Sequence, residues 1–180
     1  MHESPSLLSA WESFYVIVGS SGGALIGLQF VLLTLIADRR RLASGGTLSA
    51  FGTPTVVHLA GALVVSAIMS APWPALMPLS VLLGAWGVGG VCYTGVVIRR
   101  ARRQEQYQPV LEDWVWFVTL PGMSYAVLTA AAAWLPTNTK NAAFAVGAAA
   151  LALLLIGIHN AWDSVVHVVV TSAEDEPTAE

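Results

Sequence analysis

The sequence predicts an all-α protein, an integral membrane bundle of five transmembrane helices. Of its 180 residues, 56% are apolar and only 11% are charged, against about 45–50% and about 25% in ordinary soluble domains. Its charge-free stretches are long enough to cross a hydrocarbon core of about 30 Å as helices. With 8 basic residues and a net charge of −3, the chain offers no basic surface to nucleic acid. We therefore expect one transmembrane domain over residues 1–180 that contacts membrane lipid.

The first helix is expected at about residues 13–38, because the stretch from Phe14 to Ala37 contains no charge. This stretch is too long for the apolar region of a cleaved signal peptide, and the residues before it include no Lys or Arg. The first helix should therefore stay in the protein as a membrane span.

Helices two and three are predicted at about residues 53–72 and 78–98. The 46 uncharged residues from Thr53 to Ile98 are twice what one span needs, and three prolines between residues 72 and 78 should divide them. Thr53 is the expected N-cap of helix two, with Pro54 at the first helical position.

Helices four and five are predicted at about residues 113–135 and 141–171. Pro121 should kink helix four without ending it, since neighbouring helices can satisfy a freed carbonyl. A helix over residues 141–171 would be about 46 Å long and should tilt or protrude from the membrane. The acidic tail 172–180 should follow it as a short disordered segment.

The basic residues predict the orientation of the chain. Seven of the eight follow helices one or three, and only Lys140 lies elsewhere. By the positive-inside rule, the N-terminus is expected outside and the C-terminus in the cytoplasm. The same arginine runs could instead bind anionic lipid.

Helix one carries glycines at every fourth position, which is typical of close helix packing and of a glycine zipper. Gly19, Gly23 and Gly27 share one face of this helix. Two interpretations remain open, a contact with another helix of the same chain and an interface between subunits.

Helix five contains Asp163, the only carboxylate in the interior of a predicted span. His159 and His167 lie four residues before and after it, so the three side chains share one helical face. Asp163 could be solvated at the headgroups, take part in a structural hydrogen-bond network, or form a site for an ion, a proton or a metal. The structure has to decide between these three interpretations.

Other polar side chains could join Asp163 in the inner leaflet. His58 of helix two and Gln29 of helix one are expected at comparable depth, and Asn160 lies beside His159. A polar site of Asp163, His159, His58, His167, Gln29 and Asn160 is the resulting prediction. His58, His159 and Asp163 are the candidate ligands of a transition metal, and a pair of histidines could hold haem.

Several segments resemble a family of small bacterial polytopic membrane proteins. They are Trp11–Tyr15, Ala24–Val31 with Ala37–Arg40, Phe51–His58 leading to Ala71–Trp73, and the His-Asn-x-Trp-Asp run of helix five. The likeness covers about the first 75 residues and implies a location in the bacterial inner membrane. It carries no activity and no catalytic or binding residue.

The sequence leaves three classes of function open. The first is a homo-oligomeric channel- or transporter-like protein with a polar path. The second is an accessory subunit of a partner membrane protein, and the third is a metal- or haem-binding protein. No nucleotide-binding, metalloprotease, redox or serine-hydrolase motif is present, so we expect a function other than catalysis.

Overall fold

The computed structural model of the protein describes residues 8–38, 53–102 and 111–174, and all regular structure in these ranges is helical. A short 3-10 turn at Ser9–Trp11 leads into the first helix. The long helices are α1 (Glu12–Asp38), α2 (Thr53–Ser70), α3 (Leu76–Ala101), α4 and α5 (Thr139–Glu174). Helix α4 consists of the α-helical turn Leu111–Trp114, the π-helical turn Val115–Thr119 and the α-helix Leu120–Trp134.

Five helices are long and apolar enough to cross a membrane. This confirms the predicted all-α bundle of five transmembrane helices and makes the chain a multi-pass membrane protein. Helix α5 has 36 residues, about 54 Å of helix, so it is longer than a single span requires. The arginines at 39–41 and 103, and tail residues 175–180, lie outside the described ranges.

The prolines between α2 and α3 divide the apolar stretch as predicted, with one difference. Helix α3 begins at Leu76 rather than at Pro78, so Pro78 lies in its first turn. The N–H groups of a first turn have no acceptor within the helix, and a proline there removes no helical hydrogen bond. At the end of α2, the indole Nε1 of Trp73 donates to the carbonyl of Ile68 at 2.6 Å.

The helices run alternately up and down and form one bundle. Helix α1 packs mainly on α2, α2 on α5, α5 on α4 and α4 on α3, while smaller contacts join α1 to α5 and α2 to α3. The loop containing Trp73 marks one end of the bundle, called the Trp73 end below. The last turn of α3, with Arg99 and Arg100, marks the other, called the Arg99 end.

A layer of fully buried apolar side chains fills the middle of the bundle and the half nearer the Trp73 end. The relative exposure of each is 0%, and they come from four helices: Val65, Leu79, Leu83, Leu128, Val146 and Leu153. Close contacts at glycines let the helices approach, because a side chain on Gly157 would collide with Leu59. Apolar side chains from these four helices therefore fill this part of the bundle.

The predicted packing face of helix α1 is only partly correct. A Cβ on Gly19 would lie 3.0 Å from Cβ of Ser66, and one on Gly22 would lie 3.2 Å from the backbone oxygen of Leu59. Gly23 and Gly27 have no neighbour within 4 Å and are exposed. The contact between α1 and α2 thus follows Gly19 and Gly22, whereas a Cβ on Gly23 or Gly27 would meet no atom of the described residues within 4 Å.

Candidate functional site

His58 lies at the centre of a buried polar cluster between α2, α3 and α4. Its side chain is 1% exposed, and its Nδ1 lies 3.4 Å from the phenol oxygen of Tyr125. The ring of Tyr93 approaches edge-on, with the ring centroids 6.4 Å apart. We call His58, Tyr125 and Tyr93 the His58 cluster.

Two glycines make room for the phenol of Tyr125. A Cβ on Gly90 of α3 would overlap the ring of Tyr125, and one on Gly61 of α2 would lie 2.8 Å from its hydroxyl oxygen. Any larger residue at either position would displace Tyr125 from the histidine. The two glycines thus position the only hydrogen-bond partner that the structure gives His58.

The second nitrogen of His58 has no partner. Nε2 is fully buried and has no hydrogen-bond partner among the residues that the structure describes. A neutral imidazole carries its proton on one nitrogen and a lone pair on the other, so Nε2 is left as either an unused donor or an unused acceptor. A polar atom in this state costs free energy inside an apolar bundle unless something small binds to it.

Asn160 of α5 forms a second buried polar point, closer to the Arg99 end. It is 0% exposed, and its side-chain nitrogen donates to the backbone oxygen of Trp116 at 3.5 Å. Its side-chain oxygen is buried and has no partner. Asn160 therefore uses its donor and leaves its acceptor free.

The carbonyl of Trp116 is available to Asn160 because of the π-helical turn and the proline that follows it. The N–H of Leu120 donates to the oxygen of Val115, a spacing of five residues. In the same register, the oxygen of Trp116 would receive the N–H of residue 121, but Pro121 has none. The kink predicted at Pro121 thus takes the form of a π-helical turn, and a side chain of α5 supplies the missing donor.

His159 also contacts Trp116, through its ring. The imidazole stacks on the indole with centroids 3.6 Å apart and an interplanar angle of 16°. His159 and Asn160 together hold the Arg99 end of α4 against α5, one through the ring of Trp116 and the other through its carbonyl.

The predicted stripe on α5 does not form a single buried site. Asp163 is exposed and lies next to Trp162, which is 71% exposed, whereas His159 is partly buried against Trp116. The side chain of His167 lies outside the described part of the chain. Among the predicted site residues, His58, Asn160 and Gln29 are buried, the last with 9% exposure.

The predicted metal site is not assembled either. Among the described residues, no group of three or more His, Cys, Asp or Glu side chains is placed to hold a metal ion. For haem, the second axial histidine was expected to be His159 or His167. The ring of His159 is stacked face to face on Trp116, and the side chain of His167 lies outside the described part of the chain.

Tyr125, Tyr93 and the carbonyl of Trp116 are the parts of the site that the sequence did not reveal. The only local signal was Pro121, which frees a carbonyl one turn before it. Tyr125 and Tyr93 looked like ordinary aromatic residues within apolar spans. Their proximity to His58 depends on which faces of α2, α3 and α4 meet.

Comparison of the chain with protein families, with functionally described proteins and with solved structures finds no significant match.

Proposed function

We propose that the protein is a channel- or transporter-like membrane protein that moves a proton or a small cation by way of His58. The observation that carries the proposal is the buried imidazole of His58, with one nitrogen on Tyr125 and the other without a protein partner. An ionisable side chain inside a membrane bundle is expensive and by default indicates a functional site. Histidine suits such a role, because its ring takes up and releases protons near neutral pH.

The polar groups around His58 are distributed unequally between the two ends of the bundle. Toward the Arg99 end lie buried Asn160 and Gln29. Toward the Trp73 end lies the apolar layer that contains Val65, Leu83 and Leu128, all with 0% exposure. The arrangement favours access to His58 from the Arg99 end.

The hydroxyl groups nearer the Trp73 end do not continue the polar path. Ser66 donates to the oxygen of Ala62, and Ser80 donates to the oxygen of Ala132. Because the fully buried side chains of Val65, Leu83 and Leu128 also fill this half of the bundle, an ion could pass it only after the helices move. This favours a transporter that opens alternately to its two sides over a permanently open pore.

Assembly into a homo-oligomer belongs to the same proposal. Gly23 and Gly27 of α1 are exposed, and a side chain on either would meet no neighbour in the described part of the chain. Small residues on one face of a membrane helix allow a second helix to approach closely. A second copy of the chain is the proposed occupant of this face, and five helices are few for a transporter acting alone.

The proposal can be tested with purified protein in liposomes that contain a pH-sensitive dye. A potassium gradient with valinomycin drives proton entry, and separate gradients of Na⁺ and K⁺ test the small cations. We expect flux above that of protein-free liposomes and a loss of about tenfold or more in His58→Gln, which keeps a neutral hydrogen-bonding side chain but cannot carry a proton.

The matched control is His159→Gln, which changes the same residue type on the ring of Trp116 and should retain most of the flux. Absence of any flux in the parent protein, or equal flux in His58→Gln and the parent, would contradict the proposal.

A further inference from the structure

Three buried side-chain polar atoms have no hydrogen-bond partner in the part of the chain that the structure describes. One of them, the phenol oxygen of Tyr15, belongs to the first turn of α1, near the Trp73 end. The other two, Nε2 of His58 and the side-chain oxygen of Asn160, belong to α2 and α5, which pack on each other. Two unpartnered polar atoms on helices that pack against each other are candidates to bind the same small molecule.

The contact between α2 and α5 places these two residues at similar depth. A Cβ on Gly157 would lie 3.4 Å from the backbone nitrogen of Leu59, so these positions mark one level of the bundle. His58 lies one residue beyond Leu59, and Asn160 lies three residues beyond Gly157, both in the direction of the Arg99 end. At 1.5 Å per residue, the two residues differ in depth by only about 3 Å.

Both residues also turn toward the same third helix, α4. His58 reaches the hydroxyl of Tyr125, and Asn160 reaches the carbonyl of Trp116. His58 and Asn160 therefore both face α4, at contacts nine residues apart along that helix, and we call the region between these two side chains the junction.

The hydrogen-bonding chemistry of the two unpartnered atoms limits which molecule can bind between them. The side-chain oxygen of Asn160 can only accept a hydrogen bond, so the bound molecule must donate one there. When the hydroxyl of Tyr125 donates to Nδ1 of His58, the N–H at Nε2 needs an acceptor, so the bound molecule must also accept a hydrogen bond. Asp163, the only carboxylate of the predicted site, is exposed, so a small neutral molecule that both donates and accepts a hydrogen bond fits the resting state of these two atoms best.

We propose that a single buried water molecule occupies the junction, donating to the side-chain oxygen of Asn160 and accepting from Nε2 of His58. Buried waters in proteins bind in this way to groups that the chain itself leaves unsatisfied. The water would be the immediate proton donor and acceptor for His58 if the proposed function holds, which makes a proton, and not a metal cation, the transported species.

The proton step at this water conserves charge and atoms. The step uses the other neutral tautomer of the ring, in which the N–H at Nδ1 donates to the oxygen of Tyr125 and the water donates its second hydrogen to the lone pair of Nε2. A proton that reaches the water from the solution at the Arg99 end passes to this lone pair. The water becomes neutral and the ring becomes an imidazolium, and release of the same proton restores both.

Solid-state NMR on ¹⁵N-histidine-labelled protein in lipid bilayers can detect this water. Magnetisation that starts on water should reach Nε2 of His58, whose signal is assigned by its loss in His58→Gln. In Asn160→Leu the transfer should fall by about threefold or more, because one of the water's two anchors is gone. The matched control is Asn141→Leu, an exposed position on the same helix, where the transfer should stay unchanged.

Two results would overturn the inference. One is the absence of water transfer to His58 in the parent protein, which can be read even if Asn160→Leu does not fold. The other is unchanged transfer in a folded Asn160→Leu protein. Liposome flux separates this inference from the proposed function: water at His58 without proton flux contradicts only the function, and flux without water at His58 contradicts only the inference.

Discussion

The side-chain amide of Asn160 gives the backbone carbonyl of Trp116 the hydrogen bond that its own helix cannot supply. The two atoms lie 3.5 Å apart, at the π-helical turn where the next donor in register would be residue 121, a proline. An unpaired carbonyl inside a membrane bundle is costly. The π-helical turn of α4 and Asn160 of α5 are therefore linked through this hydrogen bond.

This relationship predicts an energetic coupling between Asn160 and Pro121. Asn160→Leu alone should lower the free energy of unfolding by about 1 kcal/mol, the order expected for one hydrogen bond between membrane helices. In the Pro121→Ala background, residue 121 has an N–H that can pair with Trp116, so the same substitution should cost much less. Unfolding of the four proteins by SDS in mixed micelles measures the coupling.

A simple additive result, with Asn160→Leu equally costly in both backgrounds, would show that the amide does not replace the donor that Pro121 lacks. Asn141→Leu in both backgrounds is the control for a general effect of removing an amide from α5.

The glycines of α1 and α3 should respond very differently to substitution. Gly90→Leu should destabilise the bundle, because a side chain at Gly90 would overlap the ring of Tyr125 and separate it from His58. Gly23→Leu should leave helicity and thermal stability unchanged, because a Cβ on Gly23 would meet no described atom within 4 Å. If copies assemble on the face formed by Gly23 and Gly27, the mass of the Gly23→Leu protein in detergent should fall.

Two outcomes would contradict this prediction. Loss of the fold in Gly23→Leu would mean that Gly23 packs within the chain, and an unchanged oligomer mass would remove this face as the subunit interface. Circular dichroism and light scattering on the same samples distinguish the two.

Asp163 should matter less than His58. Since its side chain is exposed beside Trp162, Asp163→Asn should change liposome flux by less than about twofold and leave the fold intact, because an exposed charge contributes little. Flux under a fixed potassium gradient provides the comparison with His58→Gln. Equal losses in the two variants would restore the α5 stripe as the site.

The orientation of the chain remains a prediction from its arginines. Five spans and the positive-inside rule place the C-terminus in the cytoplasm. A reporter that is active only in the periplasm should be inactive after Glu180, and one that is active only in the cytoplasm should work there. The opposite pattern, checked by fusions in the loop between α2 and α3, would reverse the orientation.

The sequence by itself determined the number and approximate ends of the spans. Each depends on a local property: enough uncharged residues to cross the membrane, and prolines such as Pro72 that interrupt the helical hydrogen bonds. Pro121 even marked the place where α4 departs from regular α-helix. These features follow from the chain's own backbone, which must satisfy its hydrogen bonds within each span.

Only the tertiary structure decided which faces of the helices meet. In a soluble protein, the contrast between apolar and polar residues marks the buried face, but lipid is as apolar as the interior of a membrane bundle, so the contrast is missing. The sequence could not show that Gly22 packs against α2 whereas a Cβ on Gly23 would meet no described atom within 4 Å. For the same reason, the sequence pointed to the charged Asp163. The buried candidate site instead contains His58, Tyr125 of α4 and the carbonyl of Trp116, which lacks a donor from its own helix because of the π-helical turn before Pro121.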